Sequence, residues 1–404
     1  MKKLIKFLSV ALIGAMVVDC GGGGSGSSVS SKVKIITNAD AIAYKKKNGE
    51  WKSIDVNSGL PNSEGLKEYK VDKYGKYMVA LKCSNSESTI FAMGKDDGGN
   101  IKYKCHKSGV IHFYSLSGAL NDTVTATIGG FVTAIDTIYS FDNSAPFNYS
   151  YLVKEGLHDF IAVSFDGASK PARFYIKRAV NITQATTMNI SLDAVNSCAV
   201  KSKNFNTGNG FRLVYVSKEG TYFTSSLGTK WFYPDCTQDS GDIYILVGKD
   251  ATGNKISLKT EPFNSMAKAD IGVQDVSHIN ALTQLSYQNS GQISGLSQYS
   301  PNANSPKLNM FLIDASNTAG NRYSILLSKN YLGSDAVFDM PKLSSVSGFS
   351  GVWDGNNASD VYAFAAMTDK KIGDLLKGKF IHLNEIYTYA TNSCKIEFAK
   401  QKVK

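Results

Sequence analysis

Gly241 to Lys259 reads GDIYILVGKDATGNKISLK. Ile243, Ile245 and Val247 alternate up to a turn, and Ile256 and Leu258 alternate after it. Successive side chains of a strand point to opposite faces, so this pattern predicts two strands that each bury one face. The glycine and asparagine between them supply positive φ at little steric cost, which predicts a turn. The same alternation recurs upstream. In GKYMVALKC, Tyr77, Val79, Leu81 and Cys83 share a face, and in NIKYKC so do Ile101, Tyr103 and Cys105.

Composition agrees with a β-rich chain. The 404 residues are 43% hydrophobic, enough for packed cores in two to four domains. Tyr (21), Phe (20) and Gly (36) are common and Pro (8) is scarce, which suits strands and turns better than long helices. The one clear helical segment is DKKIGDLLKGK, Asp369 to Lys379. Short strands between Gly/Asn/Asp turns predict an all-β fold of tandem β-sandwich modules, Ig-like or transthyretin-like in type. The net charge of +10 comes from scattered lysines, as in YKKKNGEWK and YKVDKYGKY. That pattern lacks the concentrated stripe or motif of a nucleic-acid binder, so no nucleic-acid partner is expected. Attraction to an anionic envelope surface is compatible with it.

A weak internal repeat organises the chain. CSNSESTIFAMGKDDGGN begins at Cys83 and CTQDSGDIYILVGKDATGN at Cys236. Gly94, Lys95, Asp96, Gly99 and Asn100 align with Gly248, Lys249, Asp250, Gly253 and Asn254. Four units are expected: 32–106, 107–185, 186–270 as a repeat of the first, and a less regular 271–404.

The N-terminus carries a different message. Lys2 and Lys3 precede an apolar run from Phe7 to Val18 that is too short to span a bilayer but fits an export signal over 1–19. Val17-Val18-Asp19-Cys20 resembles the lipobox of bacterial lipoproteins, with Asp19 standing where Gly, Ala or Ser is usual. The resemblance implies cleavage before Cys20 and acylation of that cysteine. Residues 20–31 then read as a lipidated cysteine and a flexible Gly/Ser tether. The other reading is a plain export signal with Cys20 left as a thiol or disulfide partner. Gly21 after the cysteine resembles outer-membrane sorting in a Gram-negative organism. AYKKKNGEWKSI, YKVDKYGKYMVALKC and GLHDFIAV resemble the tandem β modules of a loose set of bacterial lipoproteins, and 107–185 also resembles transthyretin-like accessory modules. This resemblance implies β-sandwiches on a lipid anchor in the cell envelope and carries over no catalytic residue.

Six cysteines occur: Cys20, Cys83, Cys105, Cys198, Cys236 and Cys394. Export permits disulfides. Cys83 and Cys105 lie on apolar faces of nearby strands and are expected to pair. Cys236 matches Cys83 in the repeat, but no cysteine matches Cys105, so Cys198 is its simplest partner. Cys394 is then a buried thiol or a competitor for Cys198.

Catalytic signatures are sparse. His106, His112, His158, His278 and His382 show no metal-binding spacing, and no metal or cofactor is expected. SGQISGLS (Ser290 to Ser297) lacks the strand-turn-helix context of a nucleophile elbow. His158-Asp159 is read as a structural turn or edge pair, and Asp96-Asp97 and Asp239/Asp242 as solvated turn acids. Trp51, Trp231 and Trp353 are read as core-closing residues, with a sugar platform as the other option. The chain is therefore expected to be a membrane-anchored extracytoplasmic lipoprotein with a binding, adhesive or structural role toward a protein or glycan. The alternative is an envelope glycan-acting hydrolase with its site in 271–404.

Overall fold

The computed structural model describes residues 32–62, 65–73, 75–105, 113–121, 129–134, 137–141, 147–165, 170–191, 197–204, 212–216, 222–223, 226–227, 230–234, 243–262, 275–369, 372 and 394–404. The expected export signal, Cys20 and Gly/Ser segment lie outside these, as does most of the expected helix at 369–379. Among the described residues the chain is all-β, with thirty strands and one short α-helix. None of their helices is long and apolar enough to cross a membrane.

The first segment supplies β1 (Lys32–Thr37), β2 (Ala41–Lys46), β3 (Lys52–Ile54), β4 (Leu60–Pro61), β5 (Lys67–Asp72), β6 (Lys76–Ser84), β7 (Glu87–Gly94) and β8 (Asn100–Tyr103). The middle supplies β9 (Phe113–Asn121), β10 (Gly129–Ala134), β11 (Thr137–Phe141), β12 (Phe147–Lys154), β13 (Gly156–Phe165), β14 (Pro171–Ile182), β15 (Thr186–Thr187), β16 (Ile190–Ser191), β17 (Cys198–Asn204), β18 (Arg212–Val216), β19 (Tyr222–Phe223), β20 (Ser226–Leu227) and β21 (Lys230–Pro234). The remainder supplies β22 (Ile243–Lys249), β23 (Lys255–Pro262), β24 (Ser286–Gln288), β25 (Gln292–Ser294), β26 (Leu308–Ser316), β27 (Arg322–Ser328), α1 (Lys329–Leu332), β28 (Val337–Asp339), β29 (Asp360–Met367) and β30 (Cys394–Lys402).

The opening stretch forms the antiparallel hairpin β22–β23, in register from Ile243↔Pro262 to Lys249↔Ile256. Its turn is closed from within. The Asp250 carboxylate accepts the Asn254 and Lys255 amides at 2.8 and 3.1 Å and the Thr252 hydroxyl at 2.7 Å, while Gly253 takes φ +71°. Those donors hold the Asp250 carboxyl below its usual value, although burial pushes it up.

The hairpin belongs to a twelve-stranded sheet ordered β19-β18-β22-β23-β30-β29-β26-β27-β7-β6-β2-β3. This sheet takes strands from 32–106, 186–270 and 271–404, three of the four expected units. Segments distant in sequence meet where β27 runs parallel to β7, with Arg322 opposite Glu87 and Leu326 opposite Phe91.

Alternation predicts one buried face per strand, whereas the central strands bury both. On one face Tyr77, Val79, Phe91, Leu312 and Phe364 pack against Val33, Ile35, Tyr69 and Ile101 of a four-stranded sheet, β4-β5-β1-β8. On the other, Ala80, Ala92, Phe311, Ile325 and Ala363 are covered by Val276, Leu285, Leu296, Tyr299, Phe338 and Phe349. These come from the loop-rich residues 275–358 and the small sheet β24-β25-β28. In YMVAL and AFAAM the side under the irregular chain carries Ala80, Ala363 and Ala365 with Met78 and Met367, and the side under the small sheet carries Tyr77, Val79, Leu81, Phe364 and Ala366. Small residues on one side let an irregular chain approach the sheet and exclude water.

One glycine shows how closely that covering is fitted. Gly295 has φ +86°, and a Cβ there would stand 2.2 Å from the Gln284 carbonyl oxygen. Gly295→Ala is expected to lower the unfolding free energy by at least about 2 kcal/mol, through left-handed strain and a backbone clash. A urea midpoint unchanged at constant slope would count against this fit.

The rest of the middle segment, without β18 and β19, forms two further sheets, β11-β10-β13-β14-β17-β21-β20 and β12-β9-β15, with β16 also on β9. Leu116, Leu120, Tyr149 and Val153 of the smaller sheet meet Phe160, Ala162 and Ile182 of the larger in one core.

Candidate functional site

On the face of the central sheet that meets the small sheet, apolar rows give way to polar ones toward one end. Register places Phe91, Leu326, Leu312, Phe364 and Lys400 in one row across β7, β27, β26, β29 and β30. The next row is Thr89, Ser324, Asp314, Tyr362 and Lys402. The last is Glu87, Arg322, Ser316 and Asp360. Neighbours in a row stand roughly 5 Å apart at Cβ, so the pairing itself assembles the charges.

Asp314 is the anchor and is only 7% exposed. It accepts the Arg322 Nε–H at 2.9 and 3.1 Å on its two oxygens, and the Ser324 hydroxyl at 2.9 Å. This fixes the guanidinium through Nε. Among the described residues, no hydrogen bond engages the two terminal nitrogens of Arg322. Burial raises the Asp314 carboxyl, and Arg322 and Ser324 pull it back. Glu87 lies opposite Arg322 and is likewise raised by burial, with Arg322 opposing. The Tyr103 hydroxyl accepts the Thr89 hydroxyl at 3.0 Å, and burial followed by the Glu87 charge pushes its phenol up to about 12. Across the rows, the Lys400 ammonium sits 5.0 Å from the Tyr362 ring centre and 5.6 Å from that of Phe364, and burial lowers its pKa. Lys402 pairs with Asp360 at 2.8 Å.

The result is a half-buried surface of donors and acceptors: Glu87 accepts, the Arg322 fork donates, and Lys400 and Lys402 stand over the Tyr362 ring. Such a surface suits hydroxyl-rich or mixed-charge partners. Asp314 is occupied as a positioning group.

A pH effect follows for Glu87. A carboxyl whose folded pKa is raised favours the folded state at acid pH, and that contribution is lost as pH rises through the folded pKa. Glu87→Gln is therefore expected to raise Tm at neutral pH and to change it little below the ordinary glutamate range. A Tm gain of equal size at both pH values would contradict this.

The expected site residues are distributed as follows. Cys83 and Cys105 form a disulfide with Cα atoms 5.1 Å apart, joining the end of β6 in the large sheet to the chain just after β8 in the small one. Cys236 lies outside the described residues, and for Cys198 and Cys394 only the strand backbone is described. His158 and Asp159 are both buried, and Asp159 is structural: it accepts the Ala179 amide at 2.8 Å and pairs with Arg178 at 3.1 Å. Ala179 takes φ +52° opposite a register shift between β13 and β14, so the carboxylate holds an irregularity of β14.

The expectation that Asp97 is a solvated turn acid is corrected. Asp97 is 2% exposed, accepts the Gly94 amide and the Asn330 side-chain amide, each at 2.5 Å, and burial raises its carboxyl. The reason is topological. After Gly94 the first copy of the repeat leaves the large sheet for β8 of the small one, whereas the second copy closes a hairpin. Asp239 and Asp242 lie outside the described residues, as do His106, His112 and His382. Trp231 is buried, while Trp51 and Trp353 are half-buried against the second core. Lys45 stands 5.1 Å over the Trp51 ring, and Trp353 Nε1 donates to Asn356 at 2.8 Å.

His278 meets Glu397 at 2.8 Å, and Lys395 meets the same carboxylate oxygen at 2.6 Å, tying the covering loop to β30. Among the described residues no group of three or more His, Cys, Asp or Glu could hold a metal ion. No family model matches the chain, and no curated protein matches it.

Proposed function

We propose that this chain is an exported lipoprotein, anchored to the cell envelope through Cys20, whose β layers act as a binding, adhesive or structural element without catalysis. The observation that carries the reading is the position of Cys20, directly after an apolar export-type run and directly before Gly21 to Ser28. The Cys83–Cys105 disulfide supports it, because such bonds form and persist in oxidising, extracytoplasmic compartments. The proposed contact surface for a protein or glycan is the polar end of the central sheet, with Arg322 and Glu87 as its donor and acceptor. Labelled palmitate should enter the wild-type chain and fail to enter Cys20→Ser. Equal labelling of both, or of neither, would sink the anchor.

A second reading, an envelope glycan hydrolase, draws on the raised carboxyl of Glu87, the kind of group that serves as a general acid. It predicts release of reducing sugar from envelope glycan that Glu87→Gln abolishes. The three hydrogen bonds that Asp314 already accepts favour the non-catalytic reading.

A further inference from the structure

The chain enters the described fold at Lys32, the first residue of β1. That end of the two layers is rich in lysine. Lys32 pairs with Asp72, the last residue of β5, at 2.5 Å. The Tyr44 hydroxyl donates to the Asp72 carbonyl, which brings the ends of β2 and β5 together. Lys46 closes β2, and Lys52 opens β3 opposite Tyr44. Lys32, Lys52 and Lys46 all act on the Asp72 carboxyl, which lies below its usual value chiefly through the Lys32 hydrogen bond. Beside them Lys47 pairs with Asp335, and Lys76 opens β6 and acts on the same carboxylate. The Lys73 ammonium lies near Gly99 at the same end.

Six lysines thus gather where exposed acid is supplied by Glu50, Asp72 and Asp335, while Lys95 and Asp96 add one charge of each sign. Asp97 is buried on Asn330 and does not face out. The far end of the sheet is mixed, with Glu87, Asp360 and Asp40 set against Arg322, Lys402 and Lys82. Strand register therefore gathers six of the scattered lysines at one end.

We infer that this lysine-rich end docks on the anionic phospholipid headgroups of the bilayer that holds the anchor. The inference rests on the lipid-anchor reading for its geometry. A Gly/Ser chain of the length between Cys20 and Lys32 has a root-mean-square span of roughly 20 Å, so the end bearing Lys32 is the part of the fold held nearest the membrane. Lysines brought within a Debye length of an anionic leaflet are attracted to it, and the effect falls steeply with salt.

The test uses the full chain carrying Cys20→Ser, so that binding owes nothing to acylation, and vesicles of phosphatidylcholine with or without phosphatidylglycerol. Binding is expected only with phosphatidylglycerol and is expected to weaken as salt rises. Lys46→Glu/Lys52→Glu should weaken it by about tenfold or more. Lys104→Glu/Lys177→Glu makes the same charge change at exposed positions away from this end and should leave binding near wild type. Equal losses in the two variants, or no binding by the parent chain, would overturn the inference. Failure of the anchor would show separately, as an unmodified Cys20 in the wild-type protein, and would leave the lysine comparison intact.

Discussion

Asp314→Ala is expected to lower the unfolding free energy by about 3 kcal/mol. The substitution removes the carboxylate that takes the Nε–H of Arg322 on both oxygens and the Ser324 hydroxyl. It leaves a half-buried guanidinium at the polar end of the sheet face, with Glu87 opposite it. Stranding a buried charge costs more than the pair itself contributes, because desolvation is no longer offset. Arg322 keeps 32% of its side-chain surface in solvent, which places the expected loss at the lower end for buried pairs. The double variant Asp314→Ala/Arg322→Leu should recover a large part of it, since both charges then leave together. Urea denaturation of these two variants, of Arg322→Leu and of the wild type forms the cycle. A loss under about 1 kcal/mol for Asp314→Ala, the level of a surface ion pair, would mean that the cluster is not buried as described.

Removal of the Cys83–Cys105 bond should cost a similar amount. The bridge closes a 22-residue separation, and the chain-entropy model gives about 3 kcal/mol for a loop of that size. Both cysteines are 2% exposed, and the side chain of Asn38 brackets Cys105 by accepting its amide at 2.6 Å and donating to its carbonyl at 3.0 Å. The bond links β6 of the central sheet to the chain just after β8 of the small one, so its loss acts on the packing of the small sheet over the central one. Cys83→Ser/Cys105→Ser and reductant-treated wild type should show the same drop in urea midpoint. A midpoint insensitive to both would indicate that the two layers hold without the bridge.

The all-β character was legible from alternation, and the β22–β23 hairpin was legible down to its turn, because local residues decide both. Asp250 and Gly253 close that turn without help from elsewhere. The Cys83–Cys105 pair was legible because both residues fall on the apolar faces of alternating patterns close in sequence. What escaped the sequence was long-range. The parallel contact of β27 with β7 brings Arg322 to Glu87 across more than half the chain, and no local pattern encodes it. Asp314 gave a faint signal as the lone acid in LNMFLIDAS, a strand otherwise apolar at its centre. Its partner could not be read, since register alone supplies Arg322 and Ser324. The shared Gly-Lys-Asp motif misled for the same reason: the partners of Asp97 are remote and those of Asp250 are local.

Intact mass of the protein extracted from membranes decides whether Cys20 is the anchor. The expected protein begins at Cys20, carries the added mass of acyl groups there, and is two hydrogens lighter for the Cys83–Cys105 bond. A chain cleaved elsewhere, or an unmodified Cys20 in a protein released without detergent, would contradict it.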